Sequence, residues 1–267
     1  MLFRRLFLCA LFVGLLTGLF DSVVQRWQVV PLILAAEVFE ESAAPAVADH
    51  AHADGAAHSH AAQAWEPENG LERTAYTVLA NVLNAIGSAL LLMPLLAFWN
   101  RQRAGQPLAL NRGYGACVLY GLAWGAAGWV CLFALPALGL APELPGMQAA
   151  ELQARQIWWS LTVACGAGGL AVLCLVKAKW RVLGLGLLVL PFAIGAPQHA
   201  GSPFAGMEAD VALQMQLLHS QFVVASAVAS ALNWLLLGTL SALAVARWLS
   251  PLLNPVAAAT RLEGTAS

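Results

Sequence analysis

Charge is what this chain has least of. Only 10% of its 267 residues are Asp, Glu, Lys or Arg, against roughly 25% in a soluble domain. The formal net charge is −1, so no basic excess exists to hold nucleic acid. Cysteine is sparse and scattered as Cys9, Cys117, Cys131, Cys165 and Cys174. None forms a CxxC pair, and each sits in an apolar run, which reads as small-residue packing rather than metal or disulfide chemistry. No GxxxxGK[ST] loop is present, so the chain does not bind ATP by that route. What is abundant is hydrophobic sequence: 60% of residues, in long runs. That composition specifies an all-α polytopic integral membrane protein, a single membrane domain over residues 1–267 with membrane lipid as its solvent.

Six apolar runs can be drawn, at residues 6–28, 74–99, 113–138, 156–176, 182–196 and 217–248. Five are long enough for a bilayer, which needs roughly 20 residues. The fifth is short and carries Gly184, Gly186 and Pro191, so it reads as a thin span or as a broken or re-entrant helix. The expectation is a bundle of about six transmembrane helices. Placing Arg4 and Arg5 in the cytoplasm and counting six crossings keeps Arg101, Arg103, Arg112, Lys177, Lys179, Arg181, Arg247 and Arg261 there too. Only Arg26, Arg73 and Arg155 then lie at the outer side. The positive-inside rule therefore favours six crossings with both termini cytoplasmic. Arg4-Arg5-Leu6-Phe7-Leu8 faintly resembles a twin-arginine export signal. The long apolar run and the lack of a small-x-small site before Asp21 favour an uncleaved first span.

Acidic residues and histidines follow the opposite bias. Residues 37–73 form an outer His/Ala-rich loop, expected to be partly disordered because its composition cannot pack a core. Within it, His50 and His52, then His58 and His60, make two HxH pairs. Imidazole and carboxylate suit borderline divalent metals, so the loop reads as a metal-collecting arm, the alternative being a solvated linker. His199 falls in the last outer loop and His219 at the outer end of the sixth run, four residues after Met215. Asp21 lies inside the first run, where an ionisable group is costly and points to function. Arg26, five residues on, is a candidate partner. Thr74, Thr77, Asn81, Asn84 and Ser88 recur every three or four residues, so they share one helical face. That face could line a permeation path or hydrogen-bond a neighbouring helix. Met215, His219, Ser226, Ser230 and Asn233 form a similar stripe in the sixth run. Gly14 and Gly18 make a GxxxG packing face, and Trp158 and Trp159 suit an interfacial belt.

Several stretches resemble the predicted cobalt transporter subunit family CbtA. They are Pro31-Leu32-Ile33-Leu34-Ala35-Ala36-Glu37, Trp65-Glu66-Pro67-Glu68-Asn69-Gly70-Leu71-Glu72-Arg73-Thr74, Gly121-Leu122-Ala123-Trp124-Gly125 and Ile194-Gly195-Ala196-Pro197. The most specific runs from Leu135-Pro136-Ala137-Leu138-Gly139-Leu140-Ala141 through Pro142-Glu143-Leu144-Pro145-Gly146, with Arg155-Gln156-Ile157-Trp158-Trp159 after it. The resemblance implies a bacterial inner (plasma) membrane protein that takes up cobalt for cobalamin synthesis. It also implies a small single-span, histidine-containing partner subunit, CbtB. The family is described with about five spans, one fewer than the runs drawn above. It carries over no ligand set. Glu37, Glu143, Arg155 and Gln156 join the candidate residues because they stand in the matching motifs.

The sequence therefore leads to a transporter of cobalt(II) or nickel(II), not an enzyme, with no tightly bound cofactor. His50, His52, His58 and His60 would gather the ion. A vestibule near Glu37, Glu72, Glu143, His199 and His219 would receive it, and a polar path with Asp21, Asn81 and Asn84 would carry it inward. Two other readings stand beside this one: a metal-binding sensory or structural subunit without transport, and metal efflux. A b-type haem subunit would need axial histidines within the bilayer, and only His219 and His199 come close.

Overall fold

The structure is a computed structural model, and it describes residues 2–43, 67, 69–102 and 113–249. Among these residues there are helices and no strands. The backbone can satisfy every N–H and C=O internally in only two ways inside a bilayer, and the helix is one of them. The first apolar run folds as α1, Leu2–Gln28. Pro31 cannot donate a hydrogen bond back to the preceding turn, so the helix breaks at Val29. It restarts as α2, Val30–Ala43, with Pro31 in its first turn where no donor is needed. The chain continues in α3 (Leu71–Gln102) and α4 (Tyr114–Trp129).

One π-turn, Val130–Ala134, joins α4 to α5, Leu135–Gly139. There the Leu135 N–H reaches back five residues to the Val130 carbonyl. Pro136 brings no N–H of its own, and the widened turn absorbs it without ending the span. Then come α6 (Leu152–Leu175), α7 (Arg181–Ile194) and α8 (Ala209–Ala244), which ends in a second π-turn, Val245–Leu249.

Five helices are long and apolar enough to cross a membrane: Leu2–Gln28, Leu71–Trp99, Tyr114–Gly139, Leu152–Leu175 and Ala209–Leu249. The fifth run of the sequence is α7, whose 14 residues reach about 21 Å. That is short of the roughly 30 Å hydrocarbon core. It lies antiparallel on α6. Gly184 abuts Gly169 and Leu173 near its start, and the Trp158 indole N–H donates to the Pro191 carbonyl at 3.1 Å near its end. The chain thus returns to the end of the bundle where α6 began. Gly195, at φ 91°, ends α7 there in a conformation that suits glycine.

Glycine decides how the helices pair. A Cβ at Gly14 would lie 2.5 Å from Ile86 Cα, and one at Gly18 2.5 Å from Val82 Cα, so α1 and α3 touch backbone to backbone. The motif Gly121-Leu122-Ala123-Trp124-Gly125 does the same on α4. A Cβ at Gly121 would lie 2.6 Å from Thr239 Cα, and Gly238 of α8 fits against Gly125. Lipid gives helices no hydrophobic reason to associate, so such close approach supplies the dispersion contacts that hold them. Trp158 departs from the expected belt. It is only 4% exposed, wedged against Gly139 and the Phe192 ring, whereas Trp159 stays exposed. Cys9, Cys117, Cys131 and Cys165 are buried free thiols and Cys174 is exposed.

Two cores result. One, at the N-terminal end of α1, joins Cys9, Ala10 and Val13 to Met93, Leu96, Leu237, Val245 and Leu249. The other, at the end holding α2, joins Val29 and Ala36 to Leu144, Met215, Phe222 and Ala229. We call the latter the α2 end. Substituting Gly121→Leu should push α4 off α8 and lower stability by about 1–3 kcal/mol, read as a lower thermal midpoint in detergent. Gly186→Leu, where an added Cβ meets nothing within 4 Å, should leave the midpoint nearly unchanged. Equal losses in the two variants would contradict this packing account.

Candidate functional site

The α2 end is laced by polar contacts between segments far apart in sequence. Arg73 of α3 grips Glu37 of α2 with both terminal nitrogens, Nη1 donating to Oε2 at 2.8 Å and Nη2 donating to Oε1. Nη1 also donates to Asn69 Oδ1 at 2.9 Å. The forked guanidinium matches a carboxylate in a way lysine cannot. Arg155 Nη1 donates to Glu143 Oε2, closing the connection between α5 and α6. Glu151 caps α6, its carboxylate accepting from Gln153 and Ala154 N–H at 2.9 and 2.7 Å. These backbone bonds hold its carboxyl below the ordinary value. The cap therefore contributes fully above the usual Glu range and fades as pH falls through the lowered value. Gln148 ties that connection to the next one, its N–H donating to the Pro203 carbonyl at 2.9 Å and its Nε2 to the Ala205 carbonyl at 3.1 Å.

His219 is half-buried, its Nε2 3.0 Å from the Pro142 carbonyl and its ring edge-on to Phe204. A carbonyl only accepts, so Nε2 carries the proton and Nδ1 is the nitrogen left for other chemistry. His219 thus meets the connection that holds Glu143, the residue after Pro142. His199 is half-buried in the connection before α8, and Glu72 and Gln156 are exposed. His50, His52, His58 and His60 lie outside the described residues. Among the described residues no three His, Cys, Asp or Glu side chains converge as a metal centre would require.

A second polar group sits within the spans. Asp21 is six residues, about 9 Å along the axis, inside the exposed Trp27, and is only 6% exposed itself. Its Oδ2 accepts from Gln25 Nε2 at 2.9 Å, one turn away. Its Oδ1 has no partner among the described residues. Arg26, the partner expected from sequence, points outward and is exposed. An i, i+4 pair lies on one face, whereas i, i+5 does not. Ser22 donates to the Gly18 carbonyl at 2.7 Å and accepts from Asn81 Nδ2 at 3.2 Å. Asn81 thus bonds to α1 through Ser22, while the polar partner of Asp21 is Gln25.

The rest of the α3 stripe is otherwise occupied. Thr74 and Thr77 donate to carbonyls of their own helix, and Asn84 is exposed on the bundle's outer side. Sequence reasoning also passed over Thr17, Thr162 and Ser241. These are small hydroxyl residues with no periodic signal of their own, and all are buried.

Removing both partners of the Arg73–Glu37 clasp tests its coupling. The pair is about a quarter to a third exposed, so the interaction energy should be about 1 kcal/mol or less. A double-mutant cycle of Glu37→Ala and Arg73→Ala, read by thermal unfolding in detergent, should return a positive coupling. Strictly additive single losses would mean the clasp holds nothing.

Residues in the stretches that carry the resemblance meet one another or a neighbouring helix. Glu37 of the first stretch meets Arg73 of the second, Glu143 meets Arg155, and the Gly121/Gly125 stretch packs α4 on α8. No curated protein and no solved structure matches the chain. A family model does, over residues 3–246, described as "Probable cobalt transporter subunit (CbtA)". The family's name as a subunit implies at least one further component, and transporter subunits are not a class of enzyme. With nearly its whole length matched, the chain belongs to the CbtA family of probable cobalt transporter subunits, as a multi-pass membrane protein.

Proposed function

We propose that this chain is the membrane subunit through which cobalt(II) enters a bacterial cell across the inner membrane, supplying cobalamin synthesis. Membership of the CbtA family supports cobalt as cargo. The observation that carries a transport role for this chain is Asp21, a buried carboxylate with no ion-pair partner within a membrane span. Intramembrane ionisable groups are costly and mark ion pathways. Topology follows from the charges: both termini cytoplasmic, α7 completing a sixth crossing as a thin span, and the α2 end facing outward.

In this reading His50, His52, His58 and His60 collect the ion outside, and His199 and His219 offer further imidazoles at the vestibule. Weak binding by the four histidines suits a collector that must release its ion. Glu37, Glu72, Glu143, Arg155 and Gln156 form the vestibule wall, with Glu37 and Glu143 already neutralised by arginine. The ion then passes Asp21, beside Asn81. A membrane potential is worth roughly 2.3 kcal/mol per charge per 100 mV, hence about 4.6 kcal/mol for a divalent ion. That supplies about three orders of magnitude of accumulation without a nucleotide. The small single-span CbtB is the proposed partner, its own histidines forming a relay with the arm.

Radioactive cobalt accumulation in cells lacking other importers is the test. It should rise with this gene and its small neighbour together. Replacing the four arm histidines by Ala should raise the half-saturating cobalt concentration without abolishing flux, and Asp21→Asn should abolish it. Unchanged accumulation with the protein present in the membrane would reject cobalt import. Faster loss of preloaded cobalt would assign efflux instead.

A further inference from the structure

Three buried oxygens inside the bundle have no partner among the described residues: Asp21 Oδ1 on α1, and Asn233 Oδ1 and Ser241 Oγ on α8. Their residues are 6%, 7% and 0% exposed. Buried polar atoms ordinarily find a partner, and neighbouring hydroxyls show how easily they do so here. Thr17, Ser22 and Thr239 each donate to the carbonyl four residues back. Ser241 does not. The three oxygens are therefore free to serve something other than the described residues.

They also lie along one seam. On α1, Gly14, Gly18 and Ser22 recur every four residues and abut α3 through Ile86, Val82 and Asn81. The adjoining buried stripe, Val13, Thr17 and Asp21, is left for the other long helix packed on α1, which is α8. On α8, Trp234, Leu235, Gly238 and Thr239 are taken up by α4. Asn233, Leu237, Ser241 and Ala244 form the other buried stripe. The two helices run antiparallel, with Phe12 against Trp248 near one end and Val29 clustered with Phe222 and Ala229 near the other. Counting from the first contact sets Asp21 opposite Thr239, within two turns of both Asn233 and Ser241.

We propose that the permeation route is a hydrated seam between α1 and α8, lined by Asp21, Asn233 and Ser241, through which a divalent cation passes with part of its water shell. This inference rests on the transport reading and names where in the bundle transport occurs. Carboxylate, amide and hydroxyl oxygens are hard donors that replace water one contact at a time. Three spread along two helices let an ion through without trapping it. The route is distinct from the α3 stripe, whose Asn84 faces away from the bundle.

The test is thiol accessibility in the full chain with its five native cysteines changed to Ala. Asn233→Cys, Ser241→Cys and, as the α3 comparison, Asn84→Cys are treated in membrane vesicles with a small water-borne, lipid-insoluble methanethiosulfonate. Cysteines at positions 233 and 241 should react an order of magnitude faster than one at 84, and cobalt(II) chloride should slow both. Asn233→Leu should also cut cobalt flux at equal membrane abundance while Asn84→Leu leaves it unchanged. Seam cysteines as inert as the one at position 84, or reaction at 84 alone, would overturn the proposal even with flux intact. Rapid labelling of the seam in a protein that moves no cobalt would uphold the hydrated seam and overturn the transport reading.

Discussion

Everything in this molecule depends on helices approaching to backbone contact where they lack side chains. In a bilayer, burying leucine against leucine gains little over burying it in lipid. The contacts that hold the bundle must be closer than side chains allow. Gly14 and Gly18 meet α3, Gly121 and Gly125 meet Gly238 and its neighbours, and Gly169 meets Gly184. These pairings fix rotation as well as distance. With Gly18 and Ser22 against α3, Asp21 lies about 100° round the helix from Ser22, on the side left for α8, which also packs on α1. With Gly238 and Thr239 against α4, the buried stripe holding Asn233 and Ser241 is the one left for the remaining neighbours of α8. The polar seam follows from where the glycines are.

The two ends of the bundle are held differently. At the N-terminal end of α1 an apolar cluster holds the helices together. At the α2 end an apolar core is overlaid by the Arg73–Glu37 and Arg155–Glu143 pairs and by Gln148 and His219 bonding to backbone carbonyls. A partly exposed ion pair adds little to stability, so these pairs matter more for geometry. They set where α2 and the connections around α6 and α8 lie over the mouth of the seam. The α2 helix is thereby held at that end of the bundle.

Much of the architecture was legible in sequence, because a bilayer imposes length and apolarity on any span. The five long runs became five long helices, and the short fifth run became the short α7, as Gly184, Gly186 and Pro191 foretold. The GxxxG at Gly14 marked a true packing face. What the sequence hid were the relations between faces. Asp21 pairs with Gln25 and not Arg26, because a helix brings residues four apart together and turns those five apart away. Of the α3 stripe, Asn81 bonds to Ser22 while Asn84 faces out. Periodicity groups residues on a face but does not say which neighbour that face meets. Trp158 was hidden because the residues that shelter it, Gly139 and Pro191, come from other helices. The arm histidines, the strongest chemical signal in the sequence, lie outside the described residues, so their role rests on composition alone.

Cobalt is proposed to cross the membrane through this chain. The most direct measurement is cobalt(II) flux into liposomes holding the purified chain and its small partner, with an internal metal-sensitive dye and an imposed potential. The account predicts entry that requires this chain, speeds with an inside-negative potential and is lost in Asp21→Asn. Folded, correctly inserted protein that admits no cobalt under either polarity would contradict it.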